Sequence, residues 1–597
     1  MRFGLSTRRA LALAALCIGG GTWSCKRAEI PPAPPMPRWQ SQMSDAGFAG
    51  DAQVQKLADE YIELVSRTEP ETATKWGLHV GDSELDDRSQ AGEDSRLSAR
   101  KALLGKVDSL DSSQQGQTKL SLGAKTDLAL LRGVLRQKIR IAEEVKPPER
   151  RPDYYIEPLG AVFVLLARDF APEAERARSA LSRIERLPDV IAAAKTNLKA
   201  PPELWVKIGI ESAKGAKPFF ADVKPKLEAA LPGEKARIAL AVRRADAAYV
   251  EYARFLGRDV MKRATKEFAA GRPLFEFLLR EDFFLTETPE QLKALGERVF
   301  ARTEAELRQT AKTIDPAAAD WPPVIAKLKG DHPVAGELLD TYRREVTRAR
   351  AFLVVKNAVP FPEGDNCQVL ETPQFLRGTI QAAYDQPPPF DTKAAGLFYV
   401  TPVDPTWNQA RQEEWLREND HGDIVDTAVH ETYPGHHLQL SFARLHPSRI
   451  RKVLDTAIFA EGWALYSEEM MHELGYYTPQ ERMLVLEWSL MRAARVILDV
   501  GLHVGGMTYE DAVKFLTDKV HIERALAENE VKRYSESPTQ PLSYMVGREK
   551  IFALRERYKK EQEGAGKPYS LREFHREVLT RGTLAPALLE RELFPGT

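Results

Sequence analysis

Cysteine is scarce in this chain: Cys17, Cys25 and Cys367 are the only thiols in 597 residues. A disulfide framework is therefore excluded as the source of stability, and Cys367 has no partner once a leader has removed Cys17 and modified Cys25. No Cys-His arrangement surrounds Cys367, so a small buried apolar residue is expected there rather than a nucleophile. An excess of one charge is also lacking. Eighty-five Lys and Arg stand against 86 Asp and Glu, and no basic run carries interleaved aromatics, so nothing favours a nucleic-acid partner. Long hydrophobic runs are missing too. The run Ala10 to Gly19 is too short to hold a membrane span, and no spanning segment follows it.

That short run, preceded by Arg2, Arg8 and Arg9, has the form of a signal peptide over residues 1–25. Thr22 and Ser24 flank Cys25 as in a lipoprotein cleavage site, which makes Cys25 the expected point of lipid attachment. Trp23 departs from the usual pattern, and plain secretion is the alternative. T-R-R-A-L-A-L also resembles a weak twin-arginine signal. The expected location is the periplasm or an outer-membrane anchor, with the membrane met only through the lipid. Residues 26–50, with P-P-A-P-P-M-P, have the composition of an extended tether.

From Asp51 onward Ala, Leu, Glu, Arg and Lys dominate, with apolar residues recurring at three and four, so the fold class is mainly α. About 545 residues are several cores' worth of chain. A two-lobed helical body with a central cleft is expected, divided into residues 51–358 and 359–597. From Val359 the helical rhythm is broken by Pro, Gly and β-branched residues. One or two short strands are predicted there, Gln368 to Leu370 and Gly396 to Thr401. Leu397 to Val400, with Tyr399 as a substrate contact, is a candidate edge strand for pairing with an extended peptide; a structural connector is the other reading.

The chemistry concentrates downstream. Eight of the eleven histidines lie between His421 and His521, where an even spread predicts about two. Within D-I-V-D-T-A-V-H-E-T-Y-P-G-H-H-L-Q-L, His430, Glu431, His436 and His437 fall inside eight residues. Imidazoles and carboxylates are the donors that hold a catalytic zinc, and a Glu beside the first His is where such a hydrolase keeps its base. The spacing is not H-E-x-x-H, because the fourth residue after His430 is Pro434. Pro434 cannot donate to the His430 carbonyl and crowds it, so a bulge of two residues is expected, with Gly435 absorbing it. On an undistorted helix His436 would sit about 120° from His430, and only the bulge brings it back as second ligand. His437 is the rival, close in azimuth but about 10 Å further along the axis.

H-E-T-Y-P-G-H-H-L-Q followed by E-G-W-A-L-Y-S-E resembles the bacterial family called domain of unknown function 885, usually grouped with the zinc metallopeptidases of the gluzincin type. P-E-T-A-T-K-W-G-L-H near Glu71, R-V-I-L-D-V-G-L-H from Arg495 and R-Y-S-E-S-P-T-Q-P-L-S-Y from Arg533 extend the likeness over most of the chain. It implies a helical, zinc-dependent, peptidase-like protein whose substrates are poorly defined.

Two histidines leave one protein ligand to find, and F-A-E-G-W-A-L-Y-S-E-E offers Glu461 in apolar surroundings, with Glu468 two turns on as reserve ligand or as an acceptor for a ligand imidazole. Arg495, Asp499 and His503 share one helix face. Asp499 is expected to orient a ligand histidine and His503 to donate to the substrate oxyanion; a self-satisfied cluster is the alternative. Further on, Tyr544 is the chosen oxyanion donor, and Arg533 or Arg548 the partner of a substrate carboxylate. The reading is a zinc metallopeptidase in which Glu431 is the base. A metal-dependent amidase or carboxypeptidase on cell-wall peptides is the runner-up, and a non-catalytic envelope lipoprotein with a vestigial metal helix the alternative from another class.

Overall fold

Some helices of this chain begin where a short polar side chain occupies the orphan amides of the first turn. The 25-residue helix Pro479–His503 shows how: Thr478 accepts from the Glu481 amide, Glu481 accepts from the Thr478 amide, and Pro479 fills the first position. Such a cap contributes about 1 kcal/mol and fixes where the helix starts. Asp420 does the same for His421–Glu431, accepting from the Gly422 and Asp423 amides.

The computed structural model describes residues 50–113, 119–374, 377, 380–391 and 394–596. The expected leader, the tether up to residue 49 and the Cys25 lipidation site lie outside them. The fold is mainly α, as expected from composition. Among the described residues no helix is long and apolar enough to cross a membrane.

The elements that place the site are α1 (Pro289–Ile314), α2 (Leu338–Lys356), α3 (His421–Glu431), α4 (His436–Leu445), α5 (Ala457–Glu473), α6 (Pro479–His503), α7 (Arg524–Glu536) and α8 (Gln540–Gly564). Burial of apolar surface joins them. Leu338, Tyr342, Val346 and Leu353 of α2 share a core with Val425 and Val429 of α3, Leu438 of α4 and Trp463 of α5. Leu307 and Ala311 of α1 pack with Met483 to Leu502 of α6 and with Val531 and Tyr534 of α7. A separate core runs from Tyr155 to Val260, around helices Glu173–Asn197 and Lys235–Phe255.

Three short strands form one sheet in the order β1-β3-β2: β1 (Cys367–Glu371), β2 (Ala382–Asp385) and β3 (Gly396–Val400). β1 pairs with β3 in parallel and β2 pairs with it antiparallel, Tyr384 opposite Phe398. The two expected strands are present, and β2 is a third. The expected role of Leu397 to Val400 is corrected by this order. β3 is central, both of its edges are occupied, and all five of its residues, Tyr399 included, are buried. It has no free edge to offer a peptide.

Candidate metal centre

Between α3 and α4 the helical hydrogen-bond ladder skips two residues. The Gly435 amide donates to Val429 O at 3.0 Å and the Leu438 amide to Thr432 O at 3.2 Å, each six residues back, before Gln439 returns to the ordinary four with Gly435 O. The bulge expected at Pro434-Gly435 is thus present, deep enough that α3 ends and α4 begins across it. Backbone contact there is close: a Cβ on Gly435 would lie 1.8 Å from His430 O. Trp463 Nε1 donates to Pro434 O at 2.8 Å and ties the bulge to α5.

The consequence is that His436 faces His430, ring centroids 4.8 Å apart and nearly perpendicular. Glu461 Oε2 lies 3.8 Å from His430 Nε2 and 3.4 Å from His436 Nε2. One donor atom from each of the three lies within 4.8 Å of the others, and this is the one such group of three among the described residues. His436 and Glu461 keep 14% and 20% of their side chains accessible, so the group opens to solvent on one side. Burial alone would raise the Glu461 carboxyl, but the hydrogen bonds from His430 and His436 outweigh it and hold it well below the usual carboxylate range.

Glu468, two turns along α5, takes the His430 ring from behind: Oε1 is 2.6 Å from Nδ1. Burial disfavours the charged imidazole, yet Glu461 and Glu468 together push its pKa up to about 10. Arg492 of α6 stands between Glu468 and Asp426 of α3, its Nη2 at 3.6 Å from Glu468 Oε1 and its Nη1 at 3.8 Å from Asp426 Oδ2. Neither Arg492 nor Asp426 carries a sequence signal that would have selected it.

Glu431, next to His430, accepts from the Tyr384 amide of β2 at 3.1 Å. The strand beside this carboxylate is therefore β2, an edge strand, rather than β3. Its four residues A-A-Y-D have no alternation by which a strand is recognised.

His437 is brought elsewhere. It is 1% exposed, with Nε2 2.7 Å from Asp365 Oδ1 and Nδ1 3.0 Å from Tyr384 Oη. Both ring nitrogens are engaged, and the choice between His436 and His437 falls to His436. Tyr433 and Arg350 also bond Asp365. Cys367 is a free thiol whose pKa burial, Asp365 and Glu431 push up to about 12, which removes nucleophilic character.

The face of Arg495, Asp499 and His503 is real, but its partners are Glu530 and backbone groups of other segments. Asp499 accepts from the Thr539 and Leu542 amides and caps α8. It orients no ligand histidine, and burial pushes its carboxyl up to about 8. His503 accepts from the Ala270 amide on Nδ1 and donates to Tyr534 O from Nε2, and is 1% exposed. No donor remains for a substrate oxyanion. Arg548 is 4% exposed and bonded to Ser489 and Glu549, which removes it as a substrate contact.

Tyr544 and Arg533 remain accessible. The Tyr544 ring lies 4.6 Å from the Arg495 guanidinium. Burial first and the Glu461 charge next raise its hydroxyl above the usual tyrosine value.

A family model described as "Bacterial protein of unknown function (DUF885)" matches residues 70–593. Two solved structures share the fold. One, described as "a putative lipoprotein of unknown function from Shewanella oneidensis", is 27% identical, with TM-score 0.74, covering 91% of this chain and 100% of that one. The other, described as "the putative lipoprotein from Colwellia psychrerythraea", is 19% identical, with TM-score 0.77, covering 92% and 99%. No match was found among curated proteins. With the match running from the second described helix almost to the last residue, the chain belongs to the DUF885 family of bacterial proteins.

Proposed function

We propose that the protein is a zinc-dependent hydrolase of peptide bonds, working in the cell envelope, in which His430, His436 and Glu461 hold the metal. Tetrahedral N and O donors at about 2.0–2.1 Å from zinc lie about 3.3 Å apart. The 3.4 and 3.8 Å separations to Glu461 are close to that spacing, and all three donor atoms lie within 4.8 Å of one another. The engagement of His430 Nδ1 by Glu468 leaves Nε2 for the ion, the second-sphere arrangement usual for such ligands. When bound, zinc would supply Lewis acidity toward a scissile carbonyl and toward a water molecule.

The protein's own residues account for the proton. Glu431 accepts a hydrogen bond from the Tyr384 amide, which leaves other lone pairs of its carboxylate free to accept. It would take one proton from the attacking water as the C–O bond forms and deliver it to the nitrogen as the C–N bond breaks. The products are a carboxylic acid and an amine, which leave as carboxylate and ammonium once the remaining water proton passes to the amine, and water is the sole co-reactant. Tyr544, whose ring lies against the Arg495 guanidinium, would donate its hydroxyl hydrogen bond to the carbonyl oxygen as charge develops there.

The observation that carries this reading is the convergence of three ligand-type atoms with a separate carboxylate adjacent in sequence. A site that was only structural would need the ligands and no base. The envelope location is supported by the lipoprotein description of the Shewanella oneidensis relative and by the form of residues 1–25.

The test is elemental analysis of purified protein together with an unbiased peptide-library digest, with and without chelator. About one zinc per chain and a chelator-sensitive cleavage pattern are expected. A protein that stays metal-free in excess zinc, or cleaves as well after stripping, would overturn the proposal.

A further inference from the structure

Helices α5 and α8 touch backbone to backbone. A Cβ on Gly462 would lie 2.6 Å from Gly547 Cα, and one on Gly547 would lie 1.9 Å from Ile458 O. This contact brings the start of α8, with Tyr544 nearly one turn before Gly547, alongside the start of α5, which carries Glu461. From Tyr544 a line of polar groups leads away from the metal ligands. Gln540 Nε2 lies 3.4 Å from the Tyr544 hydroxyl, and Gln540 Oε1 accepts from Arg533 Nη1 at 2.7 Å.

The charges along this line do not balance. Arg495 and Arg533 both donate to Glu530 Oε2, at 2.8 and 2.9 Å, and the Tyr534 hydroxyl takes the same oxygen. One carboxylate thus serves two guanidiniums. Asp499, an acid one turn along α6 from Arg495, is turned to the α8 amides. Lys532, on the same helix, is paired outward with Glu211. Arg533 has two of its five donors engaged and keeps 24% of its side chain accessible, whereas Arg495 behind it keeps 9%. An immobilised, half-satisfied guanidinium with a second one at its back is the arrangement that binds a carboxylate through paired hydrogen bonds.

We propose that Arg533, backed by Arg495 and positioned by Gln540 and Glu530, binds the free α-carboxylate of a peptide substrate, so that the protein cleaves close to the C-terminus of peptides. The inference rests on the peptide-hydrolase reading above. Gln540 bridges Arg533 to Tyr544, so a carboxylate held at Arg533 keeps the C-terminal end of the substrate close to Tyr544.

The test uses the full, zinc-loaded protein and pairs of short peptides identical except for a C-terminal carboxylate or carboxamide. The acid is expected to exceed the amide in kcat/KM by about tenfold to a hundredfold, carried in KM, since a charge-assisted bond to Arg533 is lost. Arg533→Gln should bring the acid down to the level of the amide, and Arg533→Lys should recover part of the difference. A second arm needs no turnover. Calorimetric binding of the same pairs to Glu431→Gln should show the same preference for the acid. Equal hydrolysis and equal binding of acid and amide overturn the carboxylate site while leaving the hydrolase standing. Absence of hydrolysis of any peptide, with the acid still preferred in the binding arm, sinks the hydrolase and keeps the site. An Arg533→Gln protein that fails to fold leaves the acid-amide comparison on the parent as the deciding result.

Discussion

Glu468 Oε1 stands 2.6 Å from His430 Nδ1, with the Arg492 guanidinium 3.6 Å from the same oxygen. The carboxylate thereby fixes the tautomer and the plane of the imidazole, pointing Nε2 at Glu461. Burial would raise the Glu468 carboxyl, but Arg492 and His430 together bring it down, so it stays anionic behind the ring.

That relationship makes Glu468→Gln informative. The amide can still accept from His430 Nδ1, so the fold should survive, but the negative charge that strengthens the imidazole as a donor is gone. Zinc affinity measured against a competing chelator is expected to fall about tenfold to a hundredfold. Unchanged affinity would mean that Glu468 only fills space.

Gly435→Ala addresses the bulge. An added Cβ would sit 1.8 Å from His430 O and 2.5 Å from Val429 O, both backbone atoms that cannot move aside alone. The skip in the ladder must then open, and His436 leaves its place opposite His430. Thermal unfolding should show a loss of about 2 kcal/mol or more, in the range of overpacked cores, and zinc uptake should fall with it. A variant as stable and as well metallated as the parent would show that the backbone closes differently there.

His503 offers a test by pH. Its Nδ1 faces the Ala270 amide, so a second ring proton has nowhere to go, and burial holds its pKa down to about 4. Against an unfolded value of about 6.5, the unfolded chain binds a proton that the native one refuses. Stability is therefore full above pH 6.5 and is lost as pH falls toward 4, by about 1.4 kcal/mol per unit. His503→Gln keeps one acceptor and one donor without the titration. The urea midpoint of the variant should fall less steeply than that of the parent between pH 6.5 and 5. Parallel slopes would mean that His503 is charged in the native state.

How much of this was legible in the sequence depends on whether a residue's partner is close along the chain. The bulge, His436 and Glu461 were readable because Pro434 and the apolar run around Glu461 are local signals. The Arg495, Asp499, His503 face was readable as a face. Its partners, Glu530, the Thr539 and Leu542 amides, and the Ala270 amide, come from other segments, and a periodicity argument cannot supply them. The same holds for His437, whose fate is decided by Asp365 and Tyr384. β3 was readable as a strand, but whether a strand is central or edge is fixed by what pairs with it.

Glu431→Gln separates binding from chemistry. The carboxylate makes one hydrogen bond, with the Tyr384 amide at 3.1 Å, and a glutamine oxygen can accept the same bond. Neither the α3 backbone nor any of the three ligand side chains depends on its charge, so the variant should fold as the parent does and hold about one zinc. An amide cannot take a proton from the attacking water or return it to the leaving nitrogen. Hydrolysis of the best library peptide is therefore expected to drop by about a hundredfold to ten-thousandfold in kcat, the span of a lost general base, with KM little changed. If kcat stays within a few fold of the parent at full metal content, the proton passes through another group and the assignment of Glu431 as base is wrong.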